Sequence, residues 1–343
     1  MNDMTNARLA VIGLGRMGIR HVLAARELGI PIAGLYDQDN RVAEQVANDL
    51  NVNGSAVFKS ADALMETSGA NILAVATTAN AHFDYVMAGS RAGFSHILCE
   101  KPMAVSVAQC EEMIERCKES QTLLGVNHYS RFTKRFELLE RMLSSSSMGQ
   151  ITSMTSVAGN IGLAMGVSHY IELFRILAHE RVSEVRFLSD PMTESNPRGQ
   201  QFIDPAGRLL ATTGSGQRMY IEFGPDQGHG VTSIYSAKYG QIFLNDLTGA
   251  GAYTQRLPVD QDLPLTRYGC DADEGPLLIE IEDVVSVTGL VWKALLEGKG
   301  FPTGEDGLYV VSTLAAAELS AKLGGIAVHL GADLDRQAAF KWA

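Results

Sequence analysis

The stretch Leu9-Ala10-Val11-Ile12-Gly13-Leu14-Gly15-Arg16-Met17-Gly18 decides the fold of the first part of the chain. An apolar run of the strand type leads directly into the pattern GxGxxG, and a helical pattern follows it. An acidic residue, Asp37, stands at the end of the next predicted strand. This order of parts is typical of a Rossmann fold that binds a dinucleotide.

Each residue of the glycine motif has a physical task in such a fold. Gly13 allows the tight turn, Gly15 lets backbone amides approach the pyrophosphate, and Gly18 lets the helix pack closely against the strand. The first helical turn, with Arg16 and Met17, presents the positive end of the helix dipole to the phosphates. The motif therefore predicts where the phosphates of the cofactor bind.

Asp37 indicates which dinucleotide is bound. Its carboxylate can accept hydrogen bonds from the ribose hydroxyls of the adenosine, whereas a 2'-phosphate there would meet a like charge. Gln38 follows, at the place where an NADP enzyme is expected to carry arginine. The predicted cofactor is NAD.

Outward from the motif, strand and helix patterns alternate, which predicts a parallel sheet built from βαβ units. The predicted strands are 8–12, 32–36, 72–76, 95–99 and 123–126, and helices are predicted at 17–28 and 106–119. Residues 1–126 are therefore expected to form an NAD-binding Rossmann domain of the α/β class.

After residue 126 the pattern changes to that of an α+β domain for substrate binding and oligomerisation, predicted over residues 127–343. Strands predicted at 183–188, 218–223, 231–236 and 241–245 follow one another through short turns, so a large, mainly antiparallel sheet is expected. Helices are predicted at 133–143, 279–297 and 307–323, the last two covering one face of this sheet.

Composition narrows the class of protein. The 343 residues carry a formal charge of -11, which argues against a nucleic-acid partner. No apolar stretch reaches the length of a membrane span, and no signal peptide is visible, so a cytoplasmic protein with no membrane partner is expected. The cysteines at 99, 110, 117 and 270 lack zinc-ligand spacing, which predicts free thiols and no metal site.

Two further motifs carry a resemblance to a known family. They are Leu98-Cys99-Glu100-Lys101-Pro102 and Ala76-Thr77-Thr78-Ala79-Asn80-Ala81-His82. Together with the glycine motif, they resemble the Gfo/Idh/MocA oxidoreductases, which act mostly on sugars, cyclitols and sugar nucleotides. The resemblance implies that the cofactor-binding residues are Gly13, Gly15, Arg16, Met17, Gly18, Asp37, Thr77, Thr78, Asn80, His82, Glu100, Lys101 and Asn127.

The resemblance also implies a catalytic pair. Lys101 would lie beside the nicotinamide and touch the substrate hydroxyl, with a cis peptide bond before Pro102. The stretch from Gly166 to Phe174 is similar to the family's helix with a catalytic histidine, here His169, whose ring the start of the helix would keep neutral. Glu172 would either orient that ring or be hydrogen-bonded structure. The predicted substrate contacts are Lys101, Arg131, His169 and Arg198.

One departure from the family leaves alternatives open. Many members carry an aspartate four residues before the histidine, and Met165 occupies that place here. The first hypothesis is an NAD-dependent sugar or sugar-nucleotide dehydrogenase, in which Lys101 and His169 converge from different domains on one substrate. The alternatives are an NAD-recycling epimerase, lyase or glycosidase without net redox, and a non-catalytic NAD-binding regulator. The resemblance further implies a homodimer or homotetramer.

Overall fold

The structure, a computed structural model, describes residues 6–191, 196–262, 271–331 and 334–342. The chain forms two compact units. The first contains the chain up to Tyr129, the segment Asp283–Val311 and the stretch from Asp335 onward, and the second contains Ser130–Glu282 and Ser312–Leu334. The sequence predicts one domain boundary at residue 126. The structure differs, because two later segments of the chain also belong to the first unit.

The first unit is built on a parallel sheet of five strands in the order β2-β1-β3-β4-β5. The strands are β1 (Leu9–Ile12), β2 (Ile32–Tyr36), β3 (Ile72–Val75), β4 (His96–Cys99) and β5 (Leu123–Val126). Every residue of β1, β3 and β4 is buried, as expected for strands covered on both faces. Since all strands run in parallel, their carboxyl ends lie at one edge, where such sheets bind ligands.

Five helices connect or follow these strands: α1 (Arg16–Glu27), α2 (Asn40–Asp49), α3 (Ala61–Thr67), α4 (Ala79–Arg91) and α5 (Val107–Glu119). Their ends follow local signals. Gly29 ends α1 in a left-handed conformation with φ +71°. Ser106 caps α5 by accepting the amide of Gln109 at 3.2 Å. These features agree with the predicted boundaries.

The second unit carries a nine-stranded sheet in the order β13-β12-β11-β10-β6-β9-β8-β7-β14. The strands are β6 (Ile151–Ala158), β7 (Val182–Ser189), β8 (Gly207–Thr213), β9 (Arg218–Phe223), β10 (Val231–Ala237), β11 (Gly240–Asn245), β12 (Ala250–Arg256), β13 (Ala272–Leu278) and β14 (Val328–His329). All pairs are antiparallel except β6 with β9. Helices α6 (Lys134–Leu143) and α7 (Ser168–Ala178) precede most of these strands. The predicted fold class is confirmed.

Two late helices, α8 (Val284–Leu296) and α9 (Gly304–Lys322), correct one prediction. The sequence predicts that both cover the second sheet, but α8 belongs to the first unit. Its Trp292 is 1% exposed and donates a hydrogen bond to His21 of α1. The C-terminal segment also returns to the first unit, where Phe340 donates its amide to the carbonyl of Val105 and stacks on the buried Trp342. Burial of two tryptophans accounts for this return.

Within the described ranges, none of the helices is both long and apolar enough to cross a membrane. Cys99, Cys110 and Cys117 are buried free thiols. Cys270 lies outside the described residues.

Candidate active site

The turn after β1 shows why two of its glycines are needed. Gly13 has φ +88°, and a Cβ there would lie 2.7 Å from the carbonyl carbon of Ala76, which follows β3. A Cβ at Gly18 would lie 1.9 Å from the carbonyl oxygen of Gly13. Both contacts are shorter than real Cβ atoms tolerate, so the fold itself excludes a side chain at either position.

Gly15 differs from Gly13 and Gly18, because no neighbouring atom of the protein would clash with a side chain at this position. It has φ -69°, is exposed, and a Cβ there would meet no atom within 4 Å. It also caps α1 without any side-chain hydrogen bond. The amides at the start of α1, including those of Arg16 and Met17, therefore lie beside open space, an arrangement that suits a phosphate group.

We expect Gly15→Ala to separate binding from folding. The unfolding midpoint should match that of the wild type. The Kd for NAD should rise about tenfold to a hundredfold, because the added methyl group would keep the charged pyrophosphate away from the backbone amides. Calorimetric titration with NAD and a thermal melt measure the two effects. Gly54→Ala is the matched control, since a Cβ there also meets no atom within 4 Å. Unchanged NAD affinity in Gly15→Ala would contradict the assignment.

Asp37 lies at the end of β2 and is held against the glycine turn. Its Oδ2 accepts the amide of Leu14 at 2.8 Å, and its Oδ1 accepts the amide of Asp39 at 3.0 Å. The nearest arginine in sequence, Arg41, is 88% exposed and forms an ion pair with Asp39 at 2.8 Å. The structure thus fixes a carboxylate beside the glycine turn, where NAD-binding folds hold the ribose.

The turn after β3 and the first helical turn of α4 carry four predicted cofactor contacts, Thr77, Thr78, Asn80 and His82. Thr78 precedes α4 and donates its hydroxyl to Oδ1 of Asn80 at 2.7 Å. The His82 ring is buried, with Nδ1 3.0 Å from the carbonyl oxygen of Pro102 and Nε2 3.1 Å from that of Thr77. Burial lowers the pKa of His82 although these carbonyls oppose the shift. His82 thus packs between the residues that follow β3 and β4 and donates its single ring proton to one of the two carbonyls.

Glu100 and Lys101 follow β4 directly, at the same edge of the sheet. The Glu100 side chain is buried, and its Oε1 accepts hydrogen bonds from Nε2 of His21 at 2.9 Å and from Nδ2 of Asn127 at 2.7 Å. Burial acts to raise the pKa of Glu100, but these hydrogen bonds and the charge of Lys101 outweigh it and hold the pKa below its usual value. An ionised carboxylate therefore stands next to Lys101. The peptide bond from Lys101 to Pro102 is cis, as the resemblance implies.

Asn127 provides a test of whether a cofactor fits this edge. An ionised carboxylate can only accept, so the Asn127 amide nitrogen must face Glu100. Its Oδ1 is buried and has no hydrogen-bond partner among the residues that the structure describes. A buried acceptor without a partner is costly unless a ligand supplies the donor. The residues at this edge therefore fit a bound dinucleotide.

In the second unit, His169 is the second residue of α7 and is half-buried. A π-helical turn, Leu163–Val167, runs directly into α7, so the continuous helix begins earlier than the sequence indicates. Its first amides are capped by Asp204, which accepts from Ala164 at 2.6 Å and from Met165 at 2.9 Å. The helix dipole therefore acts on the His169 ring less strongly than the sequence predicts, because the positive end of the helix lies one turn away and is already met by the Asp204 carboxylate.

The other predicted residues of this unit lie as follows. The buried Glu172 carboxylate accepts hydrogen bonds from Arg131 and from Arg175, the latter through two contacts of 2.8 Å. Of the two roles considered for Glu172, these contacts favour hydrogen-bonded structure. Arg198 lies in an exposed turn, where its amide donates to Oδ1 of Asn196 at 2.9 Å.

Three contributors to these sites are absent from the sequence prediction: His21, Trp292 and Asp204. His21 lies in α1 three residues after the glycine motif, and a histidine on an otherwise buried helix face was the available signal. Trp292 and Asp204 act across long separations, and no local pattern marks their partners.

Comparison with known proteins relates the Rossmann part of the chain to a family of oxidoreductases. Residues 7–128 match a family described as an oxidoreductase family with an NAD-binding Rossmann fold. A myo-inositol 2-dehydrogenase of Thermotoga maritima is 26% identical over 193 residues, which cover 52% of this chain and 57% of that protein. The match thus spans little more than half of that relative.

Solved structures share the fold at low sequence identity. An inositol dehydrogenase homolog of Azotobacter vinelandii, complexed with NADH and myo-inositol, has a TM-score of 0.77 and 16% identity, covering 94% of this chain and 97% of that one. A levoglucosan dehydrogenase, complexed with NADH and levoglucosan, has a TM-score of 0.78 and 17% identity, covering 94% and 99%.

The family description confirms NAD as the cofactor predicted from the glycine turn and Asp37. Over residues 7–128, the Rossmann unit of the chain matches the Gfo/Idh/MocA oxidoreductase family.

Proposed function

We propose that the protein is an NAD-dependent dehydrogenase that transfers a hydride between a hydroxyl or ketone carbon of a sugar or sugar nucleotide and the nicotinamide. The proposal is supported by the family match of the Rossmann unit and by relatives named as dehydrogenases of inositol. Two proteins of the same fold are complexed with myo-inositol and levoglucosan, which are small polyhydroxylated molecules. A polyol is therefore the first substrate class to test.

The observation that carries the proposal is the position of Lys101 directly after the buried, ionised Glu100 at the carboxyl end of β4. All five strands of the parallel sheet are followed by a residue with a predicted role: Gly13 after β1, Asp37 after β2, Thr77 after β3, Glu100 after β4 and Asn127 after β5. A buried anion next to a lysine at this edge favours a charged amine near the cofactor. Such an amine can stabilise negative charge that develops on a substrate oxygen.

Oxidation of an alcohol removes a hydride from carbon and a proton from oxygen. When bound, NAD supplies the hydride acceptor. In the proposed mechanism Lys101 donates a hydrogen bond to the substrate oxygen, and His169 accepts the hydroxyl proton as a general base. In the reverse direction the same two groups stabilise the ketone oxygen and return the proton.

Met165 stands where many members of the family carry an aspartate, and this difference leaves room for a reaction without net redox. Methionine cannot transfer a proton, but the carboxylate of Asp204 accepts the Met165 amide, one helical turn before His169. A carboxylate is therefore present at that turn although it comes from another part of the chain. Both oxygens of this carboxylate accept backbone amides, so Asp204 acts here as a helix cap, and the accumulation of NADH distinguishes the dehydrogenase from the NAD-recycling alternatives.

The experiment that tests the proposal follows the reduced-nicotinamide absorbance band. The purified protein is mixed with NAD and, one at a time, with cyclitols, aldoses and sugar nucleotides, and the sugar product is analysed in parallel. We expect NADH to accumulate with at least one of these compounds as its ketone forms. Conversion of a sugar without any NADH would instead support the NAD-recycling alternative.

The carboxylate of Asp37 is expected to set the coenzyme preference. Asp37→Asn keeps an oxygen for the Leu14 amide but removes the charge. The preference for NAD over NADP should fall by about tenfold or more, because like charges near a protein surface repel by a few kcal/mol. The ratio of the two Kd values, measured by titration, reports this effect. Asp49→Asn, an exposed change on α2, should leave the ratio unchanged.

A homodimer or homotetramer remains part of the proposal. The large sheet leaves apolar side chains on one face exposed, with Val157 41%, Leu188 51% and Leu210 37% accessible. Burial of such residues against a second copy would be consistent with the expected assembly.

A further inference from the structure

A buried chain of hydrogen bonds ends at Glu100 and begins at a residue far away in sequence. Trp292 of α8 is 1% exposed, and its Nε1 donates to Nδ1 of His21 at 3.0 Å. His21 is fully buried, and its Nε2 lies 2.9 Å from Oε1 of Glu100. The indole and imidazole rings meet edge to face, with an angle of 82° between them. All three residues belong to the first unit.

The donor and acceptor inventory fixes the proton on His21. An indole N–H can only donate, so Nδ1 of His21 must present its lone pair. The ring proton of the neutral imidazole is then on Nε2, which is the atom that faces Glu100. A doubly protonated ring would place an N–H at Nδ1, so that two donors would face each other, one from His21 and one from Trp292. The contact between His21 and Glu100 is therefore a hydrogen bond from a neutral ring.

We propose that Trp292 is a positioning residue for the site at Lys101, because it fixes the His21 tautomer that orients the Glu100 carboxylate beside that lysine. The proposal rests on the proposed function for the role of Lys101. Oε1 of Glu100 receives two donors, His21 and Asn127, and the first of these is oriented by Trp292. Without the indole donor, His21 can also take its proton on Nδ1, and Nε2 then presents a lone pair to the carboxylate.

The test uses Trp292→Phe, which keeps an aromatic ring but removes the N–H donor and some ring volume. Nitrogen-15 spectra of histidine-labelled, NAD-free protein report the tautomer, and His21→Gln identifies the His21 signals by their absence. We expect a single Nε2–H tautomer in the wild type and a mixture in Trp292→Phe. Trp342→Phe is the matched control, because Trp342 is a buried tryptophan of the same unit and stacks on Phe340.

The kinetic measurements use the sugar or polyol that the wild type oxidises with NAD. In Trp292→Phe, kcat should fall roughly tenfold to a hundredfold, since a small misplacement of reacting groups costs on that order. The Kd for NAD should stay near that of the wild type. His21→Gln, which offers both a donor and an acceptor, should keep more of kcat than His21→Leu, which offers neither.

Two results would overturn the proposal. One is an unchanged tautomer in Trp292→Phe. The other is a changed tautomer with kcat equal to that of Trp342→Phe, which would reduce the chain to a packing contact. The spectroscopic arm needs no substrate, so its failure is distinguishable from failure of the proposed reaction, which would show as the absence of NADH formation by the wild type with every compound tested.

Discussion

Replacement of Lys101 by alanine is expected to lower kcat by about a hundredfold to a thousandfold, the usual cost of removing one donor to a developing oxyanion. The half-buried lysine follows an ionised Glu100 at the edge of the sheet where the cofactor is expected to bind. The Kd for NAD should change little, because the phosphate and ribose contacts lie at the ends of other strands. Steady-state turnover and titration with NAD separate the two effects.

Lys118→Ala is the matched control for this change. Lys118 is an exposed lysine on α5 of the same unit and forms an ion pair with Glu305 at 3.0 Å. It should keep wild-type kcat. If Lys101→Ala raised the Kd for NAD as strongly as it lowered kcat, Lys101 would be a binding residue without a specific role in hydride transfer.

Replacement of His169 by alanine is expected to lower kcat by about a hundredfold to ten-thousandfold, the usual contribution of a general acid or base. The activity that remains should rise with pH, because solvent hydroxide can take over the proton that the imidazole accepts. A pH profile of kcat for the variant and the wild type measures this difference. A profile of unchanged shape and height would exclude His169 as the base.

His179→Asn provides the control on the same helix. His179 is exposed at the end of α7 with φ +53°, a left-handed conformation that asparagine tolerates. We expect wild-type kcat and an unchanged pH profile. An equal loss in both variants would indicate that the change acts through the stability of α7 and not through proton transfer.

The Rossmann unit was predictable because its signals are local. The glycine turn, the strand before it and the cap of α5 by Ser106 each depend on residues a few positions apart, and the structure has them as predicted. Asp37 was also predictable, since it lies at the end of the next strand. Such features follow from backbone geometry and do not require knowledge of distant contacts.

The contacts that orient the candidate site were not predictable in the same way. Trp292 meets His21 across 271 positions, and Asp204 meets Met165 across 39. The return of α8 to the first unit depends on which surface its buried face packs against. The sequence of the helix marks a buried face but does not identify that partner surface. The prediction that α8 covers the second sheet was wrong for that reason.

The most direct test of hydride transfer uses the active sugar or polyol with deuterium on the carbon that is oxidised. A single turnover with NAD is quenched, and the masses of the coenzyme and the sugar are measured. We predict one deuterium in NADH for each ketone formed by the wild type, and almost none from Lys101→Ala in the same time. Deuterium released to water, or product formed without labelled NADH, would contradict the account.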